Sequence, residues 1–203
     1  MSPKEAVVHV VDDDESIRRS LSGLLQSVGL GVTTYNSAQE FLAANLPDTP
    51  GCLLLDVHLP GLSGLELQTV LVDTDRALPI IFLTGFGDIP TTVSAMKAGA
   101  VEFLTKPLHT PTLLEAIRRA IEQDRDARAE RKNRGELRRR YDSLTPRERA
   151  VMHRIVAGRS SKQIAAEFGT SEATVKEQRA QVMEKMQAPT LVALALTAKH
   201  LGL

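Results

Sequence analysis

The chain has a single cysteine, Cys52, in 203 residues, so no disulfide can form within it. No apolar run approaches the ~20 residues that a bilayer-spanning helix needs, which argues against a membrane segment. The opening stretch MSPKEAVVHVV passes straight into three aspartates, with neither the apolar core nor the cleavage site of a secretory signal. These absences lead to the expectation of a cytoplasmic protein with no membrane partner. Net charge is missing too, since 25 Lys/Arg balance 25 Asp/Glu. That zero is a cancellation. Residues 1–117 hold 6 basic against 14 acidic side chains, and the remainder holds 19 against 11. An acidic front and a basic back predict two domains with different partners, the second partner an anion.

The front half alternates short apolar runs with segments of helical spacing. GCLLLDVHLPGLSG, from Gly51 to Gly64, is the clearest: Cys52 to Leu55 is wholly apolar and ends on Asp56, and Pro60, Gly61 and Gly64 then break the chain. A short apolar run bounded by turn residues predicts a strand buried on both faces, as in a parallel sheet. Cys52 inside it is expected to be an inert, small apolar thiol. Strands are expected likewise at Ala6 to Val11, Val32 to Tyr35, Ile80 to Leu83 and Val101 to Leu104. Between them lie helices carrying Ile17 to Val28, Ser37 to about Leu46, Gly64 to about Asp73, and Ile89 to Ala98. A further helix begins at Thr110. Five such units predict a parallel sheet with helices on both faces.

The strand ends carry the chemistry. The first delivers Asp12, Asp13 and Asp14, the third Asp56, the fourth Thr84, and the fifth Lys106. In an open α/β sheet these ends share one edge, where such folds build their sites. Two unit charges ~4 Å apart repel by roughly 4 kcal/mol at an effective dielectric near 20, so facing carboxylates must take up protons, splay apart or bind a cation. A hard divalent ion with few protein ligands and several waters suits Mg²⁺. Lys106 adds a second positive charge and Thr84 a hydroxyl donor. The set describes a pocket for a phosphoryl group with Asp56 as nucleophile. Any one of these acids could be an ordinary solvated loop residue; the coincidence of all of them at one edge is what points to a site.

Those residues, in that order, resemble a response-regulator receiver domain over residues 6 to 122. The resemblance implies a flavodoxin-like fold, phosphorylation of Asp56, and Mg²⁺ held by Asp13, Asp56 and the backbone carbonyl of His58, with Asp12 acting mainly through water. It implies a switch made of Thr84, Phe103 and Lys106, a cis peptide at Lys106-Pro107, and a dimer face including Val93, Lys97 and Val101. The imidazoles of His58 and His9 are expected to have no role.

QDRDARAERKNRGELRRR, after Ile121, has almost no apolar residues and is either a solvated helical spacer or a mobile linker, with Gly135 suggesting a break. From Leu144 helical periodicity returns without strand signals. Thr145-Pro146-Arg147-Glu148 reads as a capped helix start. Ser160 to Met186 reads as helix, turn, helix, with Gly169 closing the first and Ser171 capping the second; Val175, Val182 and Met186 form the buried stripe of the second. On charge alone this could be a small bundle with a solvated face. The pattern LTPRERAVMHRIVAGRSSKQIAAEFGTSEATVKEQRAQVMEKM, however, resembles the LuxR/NarL-type DNA-binding domain, and with the receiver it resembles FixJ-type regulators.

That resemblance places Lys176, Glu177 and Ala180 toward the groove and Thr174, Arg179 and Lys185 near phosphates, with Gln181 on the same open side. Gln178 stands where the family pattern usually has His, so Glu177 and Gln178 are expected to give this chain its own base preference. A last helix within Thr190 to Gly202 either packs in the bundle or forms part of a dimer face.

The expected architecture is therefore a receiver at residues 1–122, a charged helical linker at 123–142 and an all-α helix-turn-helix domain at 143–203. The expected function is a transcriptional response regulator. Its partners would be a sensor histidine kinase, promoter DNA, a second copy on phosphorylation, and RNA polymerase at the promoter. Activation would follow from dimerisation or from release of the basic domain. The rival readings are a Mg²⁺-dependent phosphohydrolase, which would usually carry an aspartate where His58 stands, and a module that binds RNA or protein.

Overall fold

The computed structural model describes residues 6–73, 78–85 and 89–203; the first five residues of the N-terminal stretch lie outside them. The chain divides into two compact units between Arg128 and Ala129. Among the described residues, no helix is long and apolar enough to cross a membrane.

The first unit contains a five-stranded sheet: β1 (Val7–Val11), β2 (Gly31–Tyr35), β3 (Gly51–Asp56), β4 (Ile80–Thr84) and β5 (Glu102–Thr105). Its order is β2-β1-β3-β4-β5 and every pairing is parallel. β3 and β4 are buried along their whole length, which is why their sequences run apolar without alternation. Alternate residues still choose sides. Cys52, Leu54, Ile81 and Leu83 pack with Leu21 and Leu25 of α1 (Glu15–Ser27) and with Leu113 and Ile117 of α5 (Thr110–Asp142). On the other face, Leu53, Leu55 and Phe82 meet Phe41 of α2 (Ala38–Ala43), Leu67 and Leu71 of α3 (Gly64–Asp73) and Ala95 of α4 (Ile89–Lys97). α2 stops at Ala43, short of the expected Leu46. Leu46 precedes Pro47, whose ring disfavours helical backbone just before it, and Ala44 already has ψ 142°.

The charged stretch after Ile121 is helical, but the break suggested at Gly135 is absent. α5 runs unbroken through Gly135 to Asp142, with Arg128–Asp124, Arg140–Glu136 and Arg138–Asp142 pairs four residues apart along it. It also buries side chains the sparse apolar pattern hid. Asp124 is buried and accepts hydrogen bonds from the Gly51 backbone N–H (2.9 Å) and from Arg128 Nε (2.6 Å), tying the helix to the start of β3. Leu137 and Tyr141 are buried near its C-terminal end.

The second unit packs α6 (Pro146–Val156), α7 (Ser161–Phe168), α8 (Glu172–Lys185) and α9 (Leu191–Leu201) around Tyr141, Val151, Met152, Ile164, Val175, Val182 and Leu194. Thr145 and Glu148 form the expected reciprocal cap of α6, and Ser160 with Gln163 forms a second one on α7. Gly169 ends α7 at φ 61°, the left-handed geometry that costs glycine nothing.

His9, in β1, is buried, and its Nδ1 lies 3.2 Å from the Tyr35 hydroxyl. Burial pushes its pKa down to about 4. The unfolded chain therefore takes up a proton near pH 6.5 that the folded chain refuses. Stability is full above that pH and falls as pH drops toward 4, by at most about 3 kcal/mol at roughly 1.4 kcal/mol per unit. Urea unfolding across this range should show the slope, and His9→Leu should flatten it.

Candidate phosphoryl site and nucleic-acid surface

β1 and β3 are neighbours although β2 lies between them in sequence, so the strand order reverses at their junction. Ligands of open α/β sheets gather outside the C-terminal ends at such a reversal. Val11 pairs with Leu55, which places Asp12 and Asp56 side by side just beyond the last paired residues. One oxygen each from Asp12, Asp13 and Asp56 lies within 4.8 Å of the others.

The three consecutive aspartates have separate destinations. Asp12 is fully buried, with Oδ1 accepting the Asp14 N–H (2.9 Å) and Oδ2 accepting from Lys106 Nζ (2.7 Å). Asp13 is exposed and faces the shared pocket. Asp14 departs from the expected set: it caps α1 by accepting the Ser16 N–H at 2.7 Å. Arg18 donates to the Asp12 carbonyl (2.6 Å), which fixes this turn from the helix side.

Lys106 reaches across from the end of β5 and donates to Asp56 Oδ2 as well, at 2.8 Å. The Lys106-Pro107 bond is cis, as the resemblance implied. The Asp56 Oδ1 accepts the His58 N–H (3.2 Å), so the chain turns tightly around the carboxylate, while the His58 side chain is exposed. Burial lifts the Asp12 carboxyl above its ordinary range, outweighing its bonds to Lys106 and to the Asp14 N–H. Burial pulls Lys106 the other way, but its hydrogen bonds to Asp12 and Asp56 and their charges together raise it. The ammonium thus stays charged at neutral pH. Thr84 is fully buried at the end of β4, and its carbonyl accepts the Lys106 N–H at 2.7 Å. Phe103 is half-buried with its ring 5.9 Å from that of Phe82.

On the α4 side, Val93 and Lys97 are open to solvent, whereas Val101 is half-buried against the sheet core. Ile89, exposed by 80%, and Met96, by 41%, extend Val93 into an apolar row at positions i, i+4 and i+7. Their helical spacing is readable in the sequence.

In α8, Val175, Val182 and Met186 are buried as expected. Lys176, Glu177, Ala180 and Gln181 are exposed, with Lys176 Nζ 3.0 Å from Glu172, and Thr174 shares the Ser171 cap. Three residues are placed differently from a free, outward set. Gln178 lies three and four residues from Val175 and Val182 and turns its Oε1 inward, buried without a hydrogen-bond partner. Arg179 is half-buried and donates to the Ser161 hydroxyl at 3.3 Å. Lys185 Nζ is held by both oxygens of the buried Glu148 (2.8 and 2.7 Å), whose carboxyl is lowered by that lysine and by the Thr145 N–H. In α9, Leu194 and Ala198 pack into the bundle, while Leu191, Val192 and Leu196 remain exposed.

Comparison with known proteins agrees with both halves of this geometry. Residues 8–118 match the response regulator receiver domain family, and residues 142–198 match the bacterial regulatory proteins of the luxR family. The chain is 49% identical to Nodulation protein W of Bradyrhizobium diazoefficiens over 199 residues, covering 98% of this chain and 88% of that one. It is 42% identical to the transcriptional regulatory protein FixJ of Azorhizobium caulinodans, covering 97% and 94% respectively. The solved structure of the response regulator StyR superposes with a TM-score of 0.88 at 42% identity, covering 96% of this chain and 98% of that one.

Gly64 explains why the turn after Asp56 tolerates so little. A Cβ there would lie 2.3 Å from the Asp56 carbonyl oxygen, a backbone atom with no room to retreat. Gly64→Ala should therefore cost about 1–3 kcal/mol, read as a lowered urea midpoint with unchanged slope.

Proposed function

Because the chain belongs to the two-component response regulators that carry a LuxR-type DNA-binding domain, we propose that Asp56 accepts a phosphoryl group from a sensor histidine kinase and that this controls promoter binding by the second unit. The chain is a transcriptional regulator and not a conventional enzyme. The observation that carries the finer reading is the Lys106 ammonium set between Asp12 and Asp56 at 2.7 and 2.8 Å.

In the transfer, a carboxylate oxygen of Asp56 bonds to phosphorus as the bond to the donor imidazole breaks. Asp56 is held for attack by the His58 N–H and Lys106. Lys106 then balances charge on the phosphoryl oxygens, and positioning together with electrostatics carries most of the catalysis. Asp12 keeps Lys106 aimed at Asp56. The acidic pocket of Asp12, Asp13 and Asp56 fits Mg²⁺: its donors are all hard oxygens, and Lys106 alone leaves two negative charges among three carboxylates. Asp13, Asp56 and the His58 carbonyl would hold the ion, with Asp12 reached through water. When bound, the metal supplies Lewis-acid neutralisation of the phosphoryl oxygens.

Thr84 and Phe103 are the switch in this reading: the buried hydroxyl residue moves toward the phosphoryl group and the half-buried ring follows inward. The surface altered is the α4 face, where Ile89, Val93 and Met96 with Lys97 and Val101 support pairing of two copies. We assign the receiver to residues 1–122, the charged helix to 123–142 and the DNA-binding domain to 143–203. The second unit binds duplex DNA through α8, with Lys176, Glu177, Ala180 and Gln181 toward base edges and Thr174 and Arg179 beside phosphates. Lys185 and Gln178 act from behind, the first by fastening α8 to Glu148, the second from the inward stripe. A dimer would meet half-sites about one DNA turn apart, with RNA polymerase as the further partner at the promoter.

Asp56→Asn should abolish incorporation of phosphate from a small phosphodonor while leaving the circular dichroism spectrum and unfolding midpoint close to wild type. Incorporation that persists in this variant would place the acceptor elsewhere. Lys176→Ala should weaken binding to the selected operator by roughly 1–3 kcal/mol if the contact is to bases, and fluorescence anisotropy at moderate salt reads it directly. Unchanged affinity would remove α8 as the reading element.

A further inference from the structure

The basic charge of the second half is not on the helix expected to read DNA. α8 carries Lys176, Arg179 and Lys185 against Glu172, Glu177 and Glu184, a net charge of zero. Glu148 holds Lys185, and Glu172 lies beside Lys176. Duplex affinity depends heavily on phosphate neutralisation by Lys and Arg, so another element must supply it.

Residues 131–140 of α5 hold six cations and one acid, Glu136. This stretch belongs to the same compact unit as α8. Tyr141, at its end, is part of the core that also contains Val175 and Val182 of α8, so the arginines ride on the DNA-binding body itself. Arg131, Arg134, Gly135 and Arg138 fall at i, i+3, i+4 and i+7, hence on one helix face. With Leu201 they line a cavity of about 330 Å³. Gly135 is the unexpected member. A Cβ there would meet nothing within 4 Å, so packing does not demand glycine, and glycine is among the poorest helix formers. Its missing side chain leaves the floor of the cavity open between the arginines.

Resting on the DNA-binding reading above, we propose that this arginine notch grips a backbone phosphate of the duplex engaged by the same unit. The contact carries no base information; it supplies the sequence-independent charge that α8 lacks. A planar guanidinium fork suits a phosphate bidentately, and the gap at Gly135 lets the phosphate approach the helix.

The test uses the full chain and a mixed-sequence duplex, with affinity measured by fluorescence anisotropy across a salt series. Arg131→Gln with Arg134→Gln should lower the magnitude of the log–log salt slope by about 1, one phosphate's worth, and weaken all sequences alike. Arg118→Gln with Arg125→Gln removes the same charge from the receiver portion of the helix and should leave the slope unchanged. Gly135→Leu should fill the notch, lowering affinity at low salt without lowering the thermal midpoint. An unchanged slope in the first variant, or an equal change in the second, overturns the notch while wild-type binding keeps the DNA-binding reading intact. Wild-type protein that binds no duplex sinks both.

Discussion

One ammonium group holds the first unit's site together. Lys106, at the end of β5, bridges a fully buried carboxylate on β1 and a nearly buried one on β3, so three strands converge on one nitrogen. Without it Asp12 and Asp56 would face each other at the mouth of an apolar sheet, an arrangement that costs several kcal/mol in unrelieved repulsion and desolvation. Its presence leaves the pocket short of positive charge rather than neutral. That shortage suits the pocket to a hard cation, and it sets Asp56, the acceptor in the function proposed above, directly beside a fixed positive charge.

The sheet makes the convergence unavoidable. β1 and β3 pair in a register that ends both at the same level, and β4 and β5 follow with Leu83 opposite Leu104 and Thr84 opposite Thr105. Every chemical group sits at the last residue of an apolar strand or one or two residues past it, so packing of the core sets the geometry of the site. Gly64 shows the same dependence from the outside, because the first turn of α3 presses directly on the Asp56 carbonyl. The second unit obeys a parallel logic. Glu148 caps the start of α6 and clamps Lys185 near the end of α8, joining two helices through one buried carboxylate.

Much of this was legible beforehand because it depends on local pattern. The uninterrupted apolar runs of β3 and β4, the polar residues at their ends, and the caps at Thr145 and Ser171 are all statements about neighbours in sequence. What escaped the reading depends on partners far along the chain. The approach of Glu148 to Lys185, 37 residues later, could not be seen in the sequence. The hydrogen bond from the Gly51 N–H to Asp124, 73 residues away, leaves no local mark either. Continuity of α5 through Gly135 was hidden for a different reason: only Leu137 and Tyr141, four residues apart, signal a buried side in a run otherwise full of charge. Gln178 was legible in principle, since it shares the stripe of Val175 and Val182; its polarity drew attention to base contacts instead.

Cys52 has a practical consequence. It lies in the centre of the sheet, wholly inaccessible, with its thiol pushed up to about 12 by burial and by the nearby Asp124. Thiolate is the species that alkylating reagents and peroxide attack, so the native sulfur is silent to both. A reporter cysteine placed on the surface, for a maleimide dye or a nitroxide, would be the sole reactive thiol in the molecule. Distances between labelled copies, or between the two units, could then be followed spectroscopically without first removing a residue that the sheet interior needs.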